Sequence, residues 1–327
     1  MPQRIRQLEQ WLGQACGLFG FTLEPASADA SFRRYFRVTL DGGETLIAMD
    51  APPDKEDCRP FIDVAGRLAA AGLHVPHIHH ADPAQGFMLL EDLGAESYLS
   101  ALDDASVDAL YADAIEALVV MQAGADAAGL PAYDEAMLQR EMALFPDWLL
   151  TRHLGLQLNA GERSMLDAAR AILVDNALAQ PVVCVHRDYH SRNLMRLEVR
   201  NPGVIDFQDA VAGPVTYDLV SLLRDCYIAW PQARIDRWVD AYHAQARAAG
   251  LLDGVDVAQL ATWFDLMGVQ RHMKAAGIFA RLNHRDGKPG YLADIPRTLQ
   301  YIVDVGARHA PIAALAGFVE HHVLPRL

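Results

Sequence analysis

The chain has 327 residues, of which 52% are hydrophobic and 21% charged, with a mean hydropathy of +0.05. Lys and Arg together number 28 against 42 Asp and Glu, a formal net charge of −14. So acidic a surface repels nucleic acid and anionic membrane, which excludes both as default partners. The length suffices for one large core or two unequal ones. The four cysteines, Cys16, Cys58, Cys184 and Cys226, are scattered without a C-x-x-C pair and read as reduced thiols of a cytoplasmic chain. No apolar run has the length of a membrane span, and no internal repeat or obligatory protein partner is evident.

In chain order, "MPQRIRQLEQWLGQ" reads as an amphipathic helix without the apolar centre of a signal peptide. "FRRYFRVTL" and "ETLIAMDAPP" predict a hairpin around the turn "DGGE". "PFIDVAGRLAAAGL" has helical spacing and ends near Gly72. "VPHIHHAD" and "GFMLLEDLG" are strand-like. Alternation puts His77 and His79 on one face of the first of these and His80 on the other, so with His74 they read as a half-exposed strand and not as a metal site. From about Ser97 the chain turns Ala/Leu-rich, with helical stretches over 103–128, 134–153 and 161–179, and "GFVEHHVLPRL" closes it as a docked helix end. A β-rich part, 1–93, followed by a helical part, 94–327, predicts an α+β fold of two lobes.

One β island interrupts the helices: "PVVCV", then "HRDYHSRNLM" running into "NLMRLE", a turn at Asn201–Gly203, and "VIDF". A strand, loop, strand, turn and strand in this order bring Asp188 and Asn193 near Asp206. These are the parts phosphoryl transfer requires. One carboxylate orients a hydroxyl and takes its proton, while an amide oxygen and a second carboxylate hold Mg²⁺ against the phosphates of ATP. The order His186-Arg187-Asp188-Tyr189, Asn193 and Asp206-Phe207-Gln208 follows the kinase signature H-R-D-L-x-x-x-N and D-F-G. The plain alternative is a polar surface loop followed by an Asp-capped turn. Arg187 and His190 flank the base, as substrate contacts or as structural bonds. Arg271 and Lys274, three apart, share a helix face with Gln270 beside them. That face is either solvated or recognises a carboxylate or sugar hydroxyls.

Over nearly its whole length the chain resembles the aminoglycoside phosphotransferase family, small-molecule kinases with the protein-kinase fold. The segment "VIDFQDAVAGPVTYDLVSLLRD" carries the family's Gly213-Pro214 and Tyr217-Asp218, a pattern that ties the metal loop to the following helix. Asp218 follows Phe207 by only 11 residues, with no activation segment ending in A-P-E, so a peptide substrate has no platform. Within the family, "HRDYHSRNLM", "LRDCYIAW" and "GVQRHMKAAGIFARLNHRDGKPGYLADIPR" resemble the kinases that phosphorylate the C1 hydroxyl of N-acetylmuramate and N-acetylglucosamine in peptidoglycan recycling.

The resemblance implies a bilobal kinase-like fold using ATP and Mg²⁺ on a small sugar. Asp188 would be the base, and Asn193 and Asp206 the metal ligands. Ser31, Phe32, Arg33 and Arg34 would belong to the phosphate-covering loop "ADASFRRYFRV", and the adenine would hang near Glu91 and Leu93. Arg187, His190, Asp225, Gln270, Arg271 and Lys274 would face the sugar. Two departures stand out: the covering loop has no glycine, and "TLIAMDAP" has Ala48 and Met49 where kinases place a lysine. Arg33, Arg34, Lys55 or Arg59 would then supply the positive charge. The rival readings are a kinase of aminoglycosides or other small hydroxyl compounds, and a non-catalytic nucleotide-binding scaffold.

Overall fold

The structure, a computed structural model, describes residues 2–28 and 32–327. Helix α1 (Pro2–Gln14) is followed by strands β1 (Phe21–Ala28), β2 (Arg34–Leu40) and β3 (Thr45–Asp50), helix α2 (Arg59–Ala71), and strands β4 (Ile78–Asp82) and β5 (Phe87–Glu91). The helices α3 (Tyr98–Ala101), α4 (Val107–Gly124), α5 (Glu135–Met142) and α6 (Ala160–Leu178) come next, with a π-helical segment, Phe145–His153, between the last two. Four short strands follow: β6 (Val182–Val185), β7 (Leu194–Met195), β8 (Gly203–Val204) and β9 (Val211–Pro214). The chain ends in α7 (Tyr217–Leu223), α8 (Gln232–Ala248), α9 (Val257–Asp286), α10 (Ile295–Gly306), α11 (Ala313–Phe318) and short turns of helix. No helix among the described residues is long and apolar enough to cross a membrane.

Two compact units result, Met1–Glu96 with Met195–Asp209, and Ser97–Leu194 with Ala210–Leu327. A single boundary at 93/94 differs from this in two respects: the first unit runs on to Glu96, and the segment 195–209 packs with it.

The first unit is an antiparallel sheet in the order β1-β2-β3-β5-β4. Period-2 alternation buries Phe36 and Val38 of β2 and Leu46 and Ala48 of β3 on one face. There they meet Leu8, Trp11 and Leu12, spaced three and four apart along α1. The expected hairpin is present with Leu46 opposite Val38, and β1 is an edge strand that the sequence reading did not anticipate. Helix α2 stops where expected, because Gly72 takes φ 101 as its left-handed C-cap. Its Phe61 packs on Phe207, ring centroids 4.8 Å apart, which anchors the residue after Asp206 to this helix.

Three helices of the second unit begin on legible side-chain caps. The Asn159 side chain accepts from Glu162 N in a full capping box, and Asp134 and Asp256 cap α5 and α9. Gly277 lets α9 approach the chain that enters the π-helical segment, since a Cβ there would lie 2.4 Å from the Leu144 carbonyl carbon. The β island departs from expectation. β6 pairs with β9, Val185 opposite Val211, while β7 and β8 form a separate ribbon. "VIDF" contributes only Val204 to a strand, and Asp206 leaves it at φ 66.

Candidate active site

Strand β6 delivers the chain to Asp188, and two buried carboxylates hold the loop on either side of it. Asp218, in the first turn of α7, accepts from the amides of His186 (2.6 Å) and Arg187 (2.9 Å). It therefore ties the Asp188 loop to α7, whereas the sequence resemblance gave it to the metal loop. Burial pushes Asp218 up to about 7 against those two amide bonds. Arg187 sits at φ 76, a conformation costing an L-residue roughly 1–2 kcal/mol. The Asp218 bond and an ion pair to Glu141 hold it there. Beyond the base, Asp225 accepts from Ser191 N (3.0 Å), the Ser191 hydroxyl and Tyr227 N (3.0 Å). Both Asp225 oxygens are thus used within the protein, where they order the loop.

The Asp188 carboxylate is in a different state. It is half-buried, yet among the described residues it makes no hydrogen bond and no ion pair. Burial alone would raise it; the fields of Lys274, His190, Arg271 and Arg187 outweigh that and hold it at about 2. It is an ionised acceptor that, among the described residues, accepts from no donor.

The surrounding cations divide by their partners. Lys274, buried on α9, donates to the Tyr217 hydroxyl (2.8 Å) and lies 3.3 Å from Glu141. Burial would raise Glu141, but Lys274 and Arg187 hold it below the ordinary carboxylate range, with the Tyr133 hydroxyl donating to it as well. Gln270, fully buried, donates to the same Tyr133 hydroxyl (3.0 Å). Arg271 is 5% exposed, and among the described residues it has no acid partner within ion-pair distance. Among the described residues its side chain donates to the Cys226 sulfur, 3.6 Å away, and its buried Nε has no partner. The solvated-face reading of Arg271 and Lys274 is therefore corrected: both lie inside the protein. His190 is also buried, edge-on to Tyr227 at 5.4 Å, and burial lowers its pKa so that it is neutral near pH 7.

One consequence is measurable. Removing the Lys274 charge takes away the largest of the fields that hold Asp188 down, so Lys274→Met raises the Asp188 pKa. The acid limb of kcat/KM in this variant lies at higher pH than in the wild type. An unmoved limb would mean that Asp188 does not feel Lys274 or does not titrate in the reaction.

In the first unit, the Asp206 carboxylate accepts from the Gln208 side chain at 2.8 Å. Asn193, in the second unit, donates its Nδ2 to the Asp188 carbonyl at 3.0 Å, which presents Oδ1 as the opposite end of the amide. Oxygens of this kind are the hard donors that magnesium takes, so both residues fit that ion. Ser31 lies outside the described residues. Phe32 is exposed, and its amide donates to Glu56 (3.1 Å), while Arg33 pairs with Glu56 and Arg34 with Asp50. Glu91 donates its amide to the His77 carbonyl (2.9 Å) and accepts from His74 (3.1 Å) and His77 N (3.1 Å); Leu93 is buried. The histidines of 74–80 do not converge, for His74 is spent on Glu91 and Arg200, and His77 stands edge-on to His79 at 4.9 Å.

The sequence pattern of the phosphotransferase enzyme family matches residues 22–290. The chain belongs to this family. An N-acetylmuramate/N-acetylglucosamine kinase of Pseudomonas putida is 47% identical, covering 98% of this chain and 97% of the relative. A kinase of the same description from Pseudomonas aeruginosa is 50% identical over 90% of this chain and 86% of its own. Among solved structures, the choline kinase LicA of Streptococcus pneumoniae superposes with a TM-score of 0.66 at 11% identity, covering 93% of this chain and 99% of that one. The fold is the bilobal protein-kinase-like one, and the chain is a small-molecule phosphotransferase.

Glu141, Tyr133 and Cys226, in contact with the candidate residues Arg187, Gln270, Arg271 and Lys274, are neighbours that the sequence reading missed. Glu141 did leave a signal. It occupies a core position in the stripe Leu138, Glu141, Met142, Phe145, all buried. An acid in an apolar stripe calls for a buried cation, and Arg187 and Lys274 are those cations.

Proposed function

We propose that this chain is an ATP- and Mg²⁺-dependent kinase of the anomeric hydroxyl of N-acetylmuramate and N-acetylglucosamine, acting in the cytoplasm in the reuse of cell-wall sugars. The observation that carries the reading is the unbonded, ionised carboxylate of Asp188 at the end of β6, ringed by cations. Asp188 accepts the proton of the sugar hydroxyl as that oxygen takes the γ-phosphoryl group, and ADP departs. A carboxylate held at about 2 is a weak base, so the proton moves late, as the oxygen loses its electrons to phosphorus. An anomeric hydroxyl, more acidic than an ordinary alcohol, suits such a base. His190 and Arg187 flank the acceptor, Asp225 positions the loop, and Arg271 and Lys274 set the field. Asn193 and Asp206 are the residues we assign to magnesium, which when bound neutralises charge on the phosphates. The three cations around Asp188, Lys274, Arg271 and Arg187, disfavour a polycationic aminoglycoside as acceptor.

The relatives' names support the sugar class, and a phosphate-transfer assay with radiolabelled ATP tests it. Free N-acetylmuramate and N-acetylglucosamine become labelled, and their 1-O-methyl glycosides do not. Equal labelling of a methyl glycoside would overturn the anomeric assignment; labelling of kanamycin alone would overturn the sugar. For the metal, Asp206→Ala weakens binding of MgATP more than binding of metal-free ATP, measured by calorimetry. Equal MgATP affinity in variant and wild type would place the ion on other groups.

A further inference from the structure

Kinases place a cation on the ATP phosphates from a lysine of the third strand, paired with an acid of the helix that follows. Here β3 offers Ala48 and Met49, both fully buried. The four candidate cations nearby are in very different situations. Arg34 donates from Nε and Nη2 to Asp50, a fully buried carboxylate that also receives Arg4, so Arg34 joins β2 to β3 while Arg4 ties α1 to the same carboxylate. Arg59 is turned to solvent, its side chain 82% exposed, and forks onto Asp57 two residues away. Lys55 is 53% exposed, 3.9 Å from Asp54 and 5.9 Å from the centre of the Phe32 ring. Arg33 alone of the four is both sheltered and held by an acid just ahead of α2: its side chain is 10% exposed and lies 3.0 Å from Glu56, itself 14% exposed.

We infer that Arg33, held by Glu56, takes the place of the missing strand lysine and binds the phosphates of ATP; this rests on the ATP-dependent reading above. Glu56 lies three residues before α2, so the acid half of the usual pair comes from the turn into that helix. Its other oxygen accepts the Phe32 amide at 3.1 Å. One carboxylate therefore fixes the backbone at the entry of β2 and the guanidinium beside it. An arginine suits the displaced position. Its planar fork carries five N–H donors, so one edge can rest on Glu56 while another meets a phosphate oxygen.

Calorimetry on the full chain with MgATP and with adenosine tests this. Arg33→Met, folded by circular dichroism, loses MgATP affinity by about 10- to 150-fold, the range for a hydrogen bond to a charged group. Adenosine, which has no phosphates, binds the variant as it binds the wild type. Arg33→Lys recovers part of the loss, and Lys55→Met keeps full MgATP affinity. A parallel fall for adenosine and MgATP would reduce Arg33 to a structural pin and overturn the inference. So would unchanged MgATP affinity in Arg33→Met, or the loss appearing in Lys55→Met instead. A wild-type chain that binds adenosine and MgATP equally would overturn the ATP-dependent reading itself, and this inference with it.

Discussion

Asp188→Asn folds like the wild type, binds MgATP no more weakly, and turns over about 10²-fold or more slowly, the range for losing a positioned base. Each part of that expectation has a cause. The Asp188 side chain makes no hydrogen bond among the described residues, and the loop is held by its backbone, through the Asp188 carbonyl that accepts from His190 N and Asn193 Nδ2. An amide of the same shape therefore disturbs little. Removing a negative charge also lessens repulsion toward the phosphates, so nucleotide binding does not suffer. What disappears is the only group in the loop able to take the hydroxyl proton: His190 is buried and weakly basic, and Asp225 is saturated. Single-turnover phosphate transfer, thermal melting and calorimetry together check this. Near-normal turnover in a folded variant would remove Asp188 from the mechanism.

The second large effect concerns which sugar is read. N-acetylmuramate differs from N-acetylglucosamine by a lactyl ether bearing a carboxylate. Arg271 is a buried guanidinium whose partner among the described residues is a thiol, a costly arrangement unless an anion completes it. Arg271→Ala raises KM for N-acetylmuramate more than for N-acetylglucosamine, by about 1–3 kcal/mol or roughly 5- to 150-fold. Arg271→Met, which keeps most of the volume, gives the same discrimination and separates lost charge from a packing void. Lys274 behaves differently. Its charge is already spent on Glu141 and Tyr217, so Lys274→Met affects both sugars alike through Asp188. Equal loss of both sugars in Arg271→Met would show a packing role, and equal discrimination in Lys274→Met would show that both cations read the carboxylate.

Much of the site was legible because its chemistry is local. Asp188 and Asn193 lie five residues apart in one loop, so residue type and spacing alone single them out, although the loop's conformation is held by Asp218 and Asp225 from farther along the chain. The helices and the β2–β3 hairpin were legible for the same reason, since period-3.6 and period-2 patterns are local properties. The edge strand β1 was not: "FTLEPASA" contains a proline and little alternation, and its place comes from pairing with β2. The pairing of β6 with β9, across the ribbon of β7 and β8, likewise depends on contacts distant in sequence.

By itself, then, the sequence determined the family, the order and spacing of the candidate loop around Asp188 and the absence of a strand lysine, since each is a matter of residue type and spacing. Only the tertiary structure decided what the cations do. Gln270, Arg271 and Lys274 read in the sequence either as a solvated face or as one that recognises a carboxylate or sugar hydroxyls, and α9 packs that face against α5 and α7. Burial strips the charges of water, and their roles then follow from which acids come within reach. Lys274 meets Glu141, supplied by another helix, while Arg271 meets none. At the entry to β2 the decision is finer still. Arg33 and Arg34 are adjacent and chemically identical, yet side chains of successive residues on an extended chain point to opposite sides. One therefore reaches Asp50 and locks the sheet, and the other reaches Glu56.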